Sequence, residues 1–517
     1  VVDDPFVAAR SALHVARRWL EGHPDAPRPT PETIRGLLDA PAPARALAAE
    51  LAARAAAAAV LCLDAPARRS AAELAQQLSV GHEDARAWAE LAGAWEALGR
   101  AEAPDDATLA DLERRARERK IADLVVDTAS LRALAHAERD ALDLALSSAR
   151  RASRMARTEK QPHSEYLAGL TLARLRRLGG RPYLAARIAS ALRRFAPRPW
   201  HGWVDWERSL ASGRGALAAS VTGPALDLQQ LLEHAGAGDR PAFDATAQRL
   251  HDATIDFAPF RHDLQRVLVA LDPARDPSPV SPRLTRWVRG IESFAAPPFG
   301  LAGLDGANET PHAASVVAVV LARPEGPGRR ILGVGQGLAR LEAQGRSLDE
   351  SNAGRPEAVL CGLALAGPRG LDDGELFRAV YGFEYVPALH RGTFDVALHR
   401  ARAKLADLGE IERTEGRIRL EVRAAFVVVD PRTVAEIDDR VLALVARSGE
   451  ISARDAARSL SVPLRTVQGA LRDLVDSGAC QQQRAGRGVV YAVEDTTFQE
   501  PTLDGRSHES HGRGGPS

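Results

Sequence analysis

From Val1 to about residue 280 the chain offers little from which to build a sheet: Ala, Leu, Arg and Glu dominate, β-branched runs are scarce, and Pro and Gly interrupt at intervals. Straight-chain residues and alanine lose little rotamer freedom in a helix, and helices broken at short intervals pack as hairpins. A mainly α fold is therefore expected. At 45% hydrophobic content, a chain this long has material for about three to five cores, so several units should follow one another.

Within the first half, Ser70 and Glu73 stand at capping-box spacing, with Leu74 and Leu78 on one face behind them. Ser79-Val80-Gly81 reads as a turn, and Ala85, Trp88, Leu91, Ala92, Trp95 and Leu98 recur at helical spacing before Gly99. The pair fits a helix-turn-helix or an ordinary hairpin with two core tryptophans. Tyr166 to Trp200 holds a helix, the turn Gly179-Gly180-Arg181-Pro182, a second helix and a stop at Pro197. Leu172, Ala173, Ala185 and Pro197 there resemble the large, small and terminating positions of a tetratricopeptide repeat, and Leu124 to Met155 resembles a degenerate copy. That resemblance implies a solenoid whose concave face holds a partner peptide; a helical bundle spacing the termini fits the same residues. Arg174, Arg176, Arg177, Arg193 and Arg194 either face an acidic partner or are solvated charge.

Between 272 and 355 the texture changes. The β-branched run Ser315 to Leu321, the turn Pro324-Glu325-Gly326-Pro327-Gly328 and the run Arg330-Ile331-Leu332 predict a hairpin, with a short helix over Leu338 to Gln344. Gly333-Val334-Gly335-Gln336-Gly337 lacks both the dinucleotide fingerprint spacing and a Gly-Lys-Ser/Thr end, so it reads as a glycine turn.

From Pro356 the pattern becomes specific. Helices are predicted over Glu357 to Ala366, over Asp372 to Tyr381 with Leu376, Phe377 and Val380 inward, and over Thr393 to Leu408. In the third, Phe394, Leu398, Ala401, Leu405 and Leu408 form a narrow stripe from which His399, Arg400 and Lys404 point away. Strands Ile411 to Thr414 and Ile418 to Val422 follow, joined by Glu415-Gly416-Arg417. Three helices and a hairpin make the layout of a winged helix. Phe383-Glu384-Tyr385 and the run Gly392 to Arg402 resemble the effector domain of OmpR-type response regulators over about 75 residues. The resemblance implies a third helix in the DNA major groove, Arg400 in the base-reading position, and His399 and Arg402 against phosphates. Arginine suits both roles because its planar fork grips guanine or phosphate with two bonds. The sequence departs from the family at Gly392, where an arginine opens the helix, at Ala401, where a leucine is usual, and at Glu415 in a shortened wing. Ten basic residues face twelve acidic ones between 356 and 430, and no receiver-like domain precedes them, so this copy either reads DNA weakly or docks protein.

A second module follows Asp430-Pro431. Ile437, Val441, Leu444 and Val445 mark one helix, Ser452 caps a second bearing Ala456, Ala457 and Leu460, and Ser461-Val462-Pro463 makes the turn. The next helix puts Leu464, Val467, Leu471, Leu474 and Val475 on its core side and Arg465, Thr466, Gly469 and Arg472 outward, until Gly478 ends it. Gln481 to Gly488 then forms a basic, glycine-tipped wing carrying Arg484 and Arg487, backed by a strand to Val493. The module resembles the winged helix-turn-helix of bacterial transcription regulators.

Composition bounds the function. The 68 basic and 68 acidic residues cancel, so DNA contact has to come from local patches. Cys62, Cys361 and Cys480 fall in no metal spacing, which together with a single methionine and abundant Ala and Arg suggests a GC-rich bacterial genome and a reducing cytoplasm. No apolar run reaches the roughly 18 residues of a membrane span, the first residues lack signal-peptide order, and Leu51 to Leu63 reads as a buried helix. There is no paired-histidine metal motif, no Gly-x-Ser-x-Gly and no nucleotide loop, and His136, His201 and His312 stand alone, so neither an enzyme nor a cofactor is expected. The expected organisation is a helical 1–105 with a helix-turn-helix-like pair, tetratricopeptide-like hairpins over 106–271, a small mixed α/β or linker region over 272–355, winged helices over 356–430 and 431–495, and a disordered tail over 496–517. The expected function is sequence-specific binding of double-stranded DNA in transcription regulation, with a helical half that senses or docks a protein partner. An adaptor using both halves for protein contacts is the alternative. Paired half-sites would favour a homodimer, and the sequence leaves the oligomeric state open.

Overall fold

A computed structural model describes residues 42–271, 316–334, 346–347 and 354–493 with short interruptions, together with a few isolated positions before residue 42. The chain is mainly helical, with a packed helical array in its first half and small, mostly antiparallel sheets near its C-terminal end. Among the described residues no helix is long and apolar enough to cross a membrane.

The array comprises α1 (Ala42–Leu61), α2 (Ala65–Leu78), α3 (Glu83–Gly99), α4 (Asp106–Glu118), α5 (Ala122–Glu138), α6 (Leu142–Thr158), α7 (Pro162–Leu178), α8 (Pro182–Phe195), α9 (His201–Ser212), α10 (Pro224–Ala237), α11 (Arg240–Thr254) and α12 (Ala258–Leu271). Ser70 lies inside α2 and caps nothing, because the helix already begins at Ala65. Trp88 and Trp95 are both core residues, as are Leu51, Ala52, Ala53, Ala55 and Ala56 from the start of the apolar stretch.

The four turns joining α4 to α8 recur every 20 residues. The N–H groups of Ile121, Ala141, Gln161 and Arg181 donate to the carbonyls of Ala116, His136, Ala156 and Arg176, each at 2.9 Å. Lys120, Asp140 and Gly180 precede three of these donors with positive φ. Each is the six-to-one closure of a Schellman turn, which satisfies orphan carbonyls and reverses the chain within two residues. Glycine takes that conformation without penalty, whereas Lys120 and Asp140 adopt it at some cost. A helix pair thus spans 40 residues, against 34 in a tetratricopeptide repeat. Leu172, Ala173 and Ala185 are buried between neighbouring helices; Pro197 lies outside the described residues.

The array also closes on itself. α12 returns to the earlier helices: His262 Nδ1 lies 2.7 Å from Glu138 Oε2 of α5, and the Arg68 guanidinium of α2 sits over the Phe257 ring. One apolar core runs from Ile34 to Val267. At its centre Arg174 and Arg177 of α7 meet Glu207 of α9 and Asp263 of α12, none of them more than 1% exposed. Arg174 Nη1 donates to Glu207 Oε1 at 3.0 Å and to Asp263 Oδ2 at 2.6 Å, Arg177 Nε to Glu207 Oε2 at 2.7 Å, and Trp206 Nε1 to Asp263 Oδ2 at 3.1 Å. Burial disfavours each of these charges, but the opposite charges outweigh it, holding both guanidiniums above and Asp263 below their usual ranges. Two cations balance two anions, so Arg174 and Arg177 tie three helices together and offer no surface to an acidic partner.

Further along come β1 (Val316–Ala322), β2 (Arg329–Val334), β3 (Arg346–Ser347), α13 (Arg355–Ala366), β4 (Leu371–Asp372), α14 (Asp373–Tyr381), α15 (Pro387–Leu405), β5 (Gly409–Thr414), β6 (Arg417–Val422) and β7 (Phe426–Asp430). The expected hairpin forms, Val316 pairing with Val334, and β7 joins its other edge to give the order β2-β1-β7-β3. Val320, Ala322, Phe426 and Val428 share one core with α13, α14 and α15. The strands from 316 therefore pack with the helices from 355, across the 355/356 division drawn from the sequence.

The last module contains α16 (Ile437–Ser448), β8 (Glu450–Ile451), α17 (Ala453–Leu460), α18 (Leu464–Asp476), β9 (Cys480–Ala485) and β10 (Gly488–Val493). The region from α13 to β6 and this module follow one plan: helix, two-residue strand, two helices, hairpin. In both, the hairpin's second strand is central, in the orders β4-β6-β5 and β8-β10-β9. The short strands end in the caps of the next helix. Asp372 and Glu375 exchange N–H bonds at 2.7 and 3.0 Å, and Ser452 Oγ accepts from Asp455 N at 3.2 Å.

Candidate nucleic-acid interface

In the last module Val467, Ala470, Leu471 and Leu474 bury one face of α18 against α16 and α17. Arg465 and Thr466 stand exposed in the first turn, and Arg472, seven residues after Arg465, lies two turns along the same side. Gly469 is between them, and a Cβ placed there would meet nothing within 4 Å. Leu464, expected in the core, is 38% exposed, since the turn through Ser461, whose φ is +53°, starts the helix with that residue outside the apolar stripe. Arg484 on β9 is exposed and pairs with Val489 one step from the hairpin tip; Arg487 and Gly478 lie outside the described residues. Among the described residues Arg465, Arg472 and Arg484 take part in no ion pair or hydrogen bond.

The helical array holds this module elsewhere. Tyr183 and Leu184 of α8 enter the core built on Val441, Leu442 and Val445 of α16. Arg181 Nε reaches Asp439 Oδ1 at 3.2 Å, and Arg187 Nη1 donates to the carbonyl of Ala446 at 2.8 Å. Docking through α16 leaves the exposed side of α18 open. Acidic groups gather at the start of α16, where burial and then the charges of Asp473, Asp439 and Glu436 raise the carboxyl of Asp438 above its usual range against the opposing pull of Arg181.

The preceding module treats its charges differently. α15 begins at Pro387, six residues before the expected Thr393, because proline suits the first helical position and the N–H of Val386 donates to His390 Nδ1 at 2.9 Å. Gly392 is thereby an interior helix residue. The stripe of Phe394, Leu398, Ala401, Leu405 and Leu408 is buried as expected. Lys404, expected to point away from the protein, instead pairs with Glu357 of α13, a carboxylate only 1% exposed that also accepts from Gly354 N at 2.7 Å. Burying that carboxylate requires a counter-charge, and Lys404 supplies it. Arg402 is exposed but donates from Nε to the carbonyl of Ile411 at 3.2 Å. On the hairpin Arg413 pairs with Asp373, Arg417 with Glu375 at 3.2 Å, and Arg423 with Glu410. His399 and Arg400 are exposed, and along the same helix and the loop before it Phe383, Val386, Leu389 and Val396 are exposed as well, Leu389 to 75%.

Sequence reasoning did not foresee this internal pairing. Its signal was the near balance of charge in the module, in which Arg413 and Arg417 of the hairpin meet Asp373 and Glu375 of α14, and Arg423 meets Glu410 of β5. Among the described residues no group of three or more His, Cys, Asp or Glu side chains could hold a metal; His136 contacts Asp106 at 3.1 Å and His201 contacts Arg193 at 2.7 Å. Comparison with protein-family models, curated proteins and solved structures finds no match to this chain.

Proposed function

We propose that the chain is a DNA-binding transcription regulator whose two C-terminal modules are winged helices, the second of them reading the duplex. One observation carries this: Arg465, Arg472 and Arg484 are exposed and uncompensated on the helix-and-hairpin side of that module, while the array docks on α16. A helix is narrow enough to enter the major groove, and its N-terminal residues then reach base edges. The bare backbone at Gly469 permits close approach. Replacing Arg465 or Arg472 with alanine is expected to weaken DNA binding by about 1 to 3 kcal/mol in a mobility-shift titration. Substitution of Gly469 by leucine should abolish binding and leave the helix folded.

A second reading applies to the first module. Its arginines are largely spent within the protein, and its α15 face presents Leu389 and Val396 beside Arg400. An apolar face with one or two open cations suits a protein contact better than a phosphate backbone. On this reading the chain joins a DNA reader to a docking surface, and Leu389→Asp disturbs partner capture without altering DNA affinity.

A further inference from the structure

Beside the contact between the array and the last module lies a cleft of about 830 Å³, bounded by the Schellman turns at 140 and 180, by α6 and α7, and by Asp439 of α16. Its volume falls in the range of small-molecule sites. Arg150, Arg154, Arg176 and Arg181 line it, opposed by Asp140, Asp143 and Asp439, and Leu142 and Leu144 supply an apolar wall.

The charges are not matched where it matters. Arg181 is engaged by Asp439. Arg176 is half-buried, and among the described residues it has neither an ion pair nor a hydrogen bond. One residue further along α7, Arg177 is buried against two carboxylates; Arg176 instead faces Arg150 and Arg181. Burial, reinforced by those two positive charges, pushes its guanidinium down to about 10, with only the Tyr183 hydroxyl opposing. A partly desolvated cation among like charges calls for an anion, and a phosphate group offers oxygens enough for several guanidinium forks at once.

We infer that this cleft binds a small phosphorylated compound, its phosphate held by Arg176 and Arg150 and its body against Leu142 and Leu144. The inference concerns ligand binding alone and stands apart from the reading of α18 as a DNA reader.

Calorimetric titration of the full chain with phenyl phosphate, and separately with inorganic pyrophosphate, tests it. Saturable one-to-one binding is expected, weakened at least tenfold by Arg176→Met and by Arg150→Gln and unchanged by Arg86→Gln, an exposed residue of α3. Tighter binding of phenyl phosphate than of pyrophosphate would place the apolar wall in the site; the reverse order would overturn that part. Arg176→Met, which removes an uncompensated charge, should melt no lower than wild type and should not show the upward shift in Tm that ligand gives wild type. Heat that never saturates, or equal affinity in Arg150→Gln and wild type, would overturn the proposal; because Arg150 is exposed, that second result cannot be blamed on misfolding.

Discussion

Asp438 shows how a single carboxylate can work against its own helix. It sits in the first turn of α16, where the helix dipole favours negative charge, yet burial and the neighbouring acids Asp473, Asp439 and Glu436 raise its carboxyl. A folded-state value above the unfolded one means the folded protein binds the proton more tightly. Stability therefore falls as pH rises through the window from the usual Asp value upward. Asp438→Asn is expected to raise Tm near neutral pH, with the gain closing as pH falls below the ordinary carboxylate range of about 4. Melting curves at several pH values check this, and a gain that persisted in acid would point to some cause other than charge. The arginines divide along the same physical line. Those that meet a carboxylate within the fold, such as Arg174 and Arg413, serve the fold; those that meet none, such as Arg465 and Arg176, remain available to a ligand.

Among the elements, α15 separates what a local pattern reveals from what it hides. The apolar stripe from Phe394 to Leu408 was legible because burial follows helical period. The true start at Pro387 was not, because it depends on a proline at the first position and on a histidine ring turning back to the cap. Interior Gly392 costs that helix backbone entropy, and a Cβ there would meet nothing within 4 Å. Gly392→Ala is accordingly expected to stabilise the protein by about 0.5 to 1 kcal/mol, read from denaturant midpoints at unchanged slope. The strands at 316 and 329 were equally legible from their β-branched residues. Their partner β7 was not, since pairing across some hundred residues leaves no local trace. Lys120, Asp140 and Gly180 stand at multiples of 20 residues from one another, but only the shared turn geometry makes three such different residues equivalent. Of the site residues, Arg465, Thr466, Arg472 and Arg484 are exposed as their spacing implied. Lys404 was misplaced because its partner Glu357 lies 47 residues away.

Across the whole molecule, the array grips the last module by one helix and leaves another uncovered. Tyr183, Leu184, Arg181 and Arg187 hold α16, so α8 and the last module meet through one shared core and two polar contacts. The cleft of Arg176 borders that same seat through Asp439. Net charge is zero over the chain, so the proposed attraction to DNA rests on a few local cations. The most direct test of the central claim is the salt dependence of duplex binding by the full chain and by a variant with Arg465, Arg472 and Arg484 all changed to glutamine. Wild-type affinity should fall linearly on logarithmic axes with salt, and the variant's slope should be shallower by up to about 0.9 for each phosphate it no longer neutralises, while Lys404→Gln leaves the slope unchanged. Identical slopes and affinities in wild type and triple variant would contradict the account.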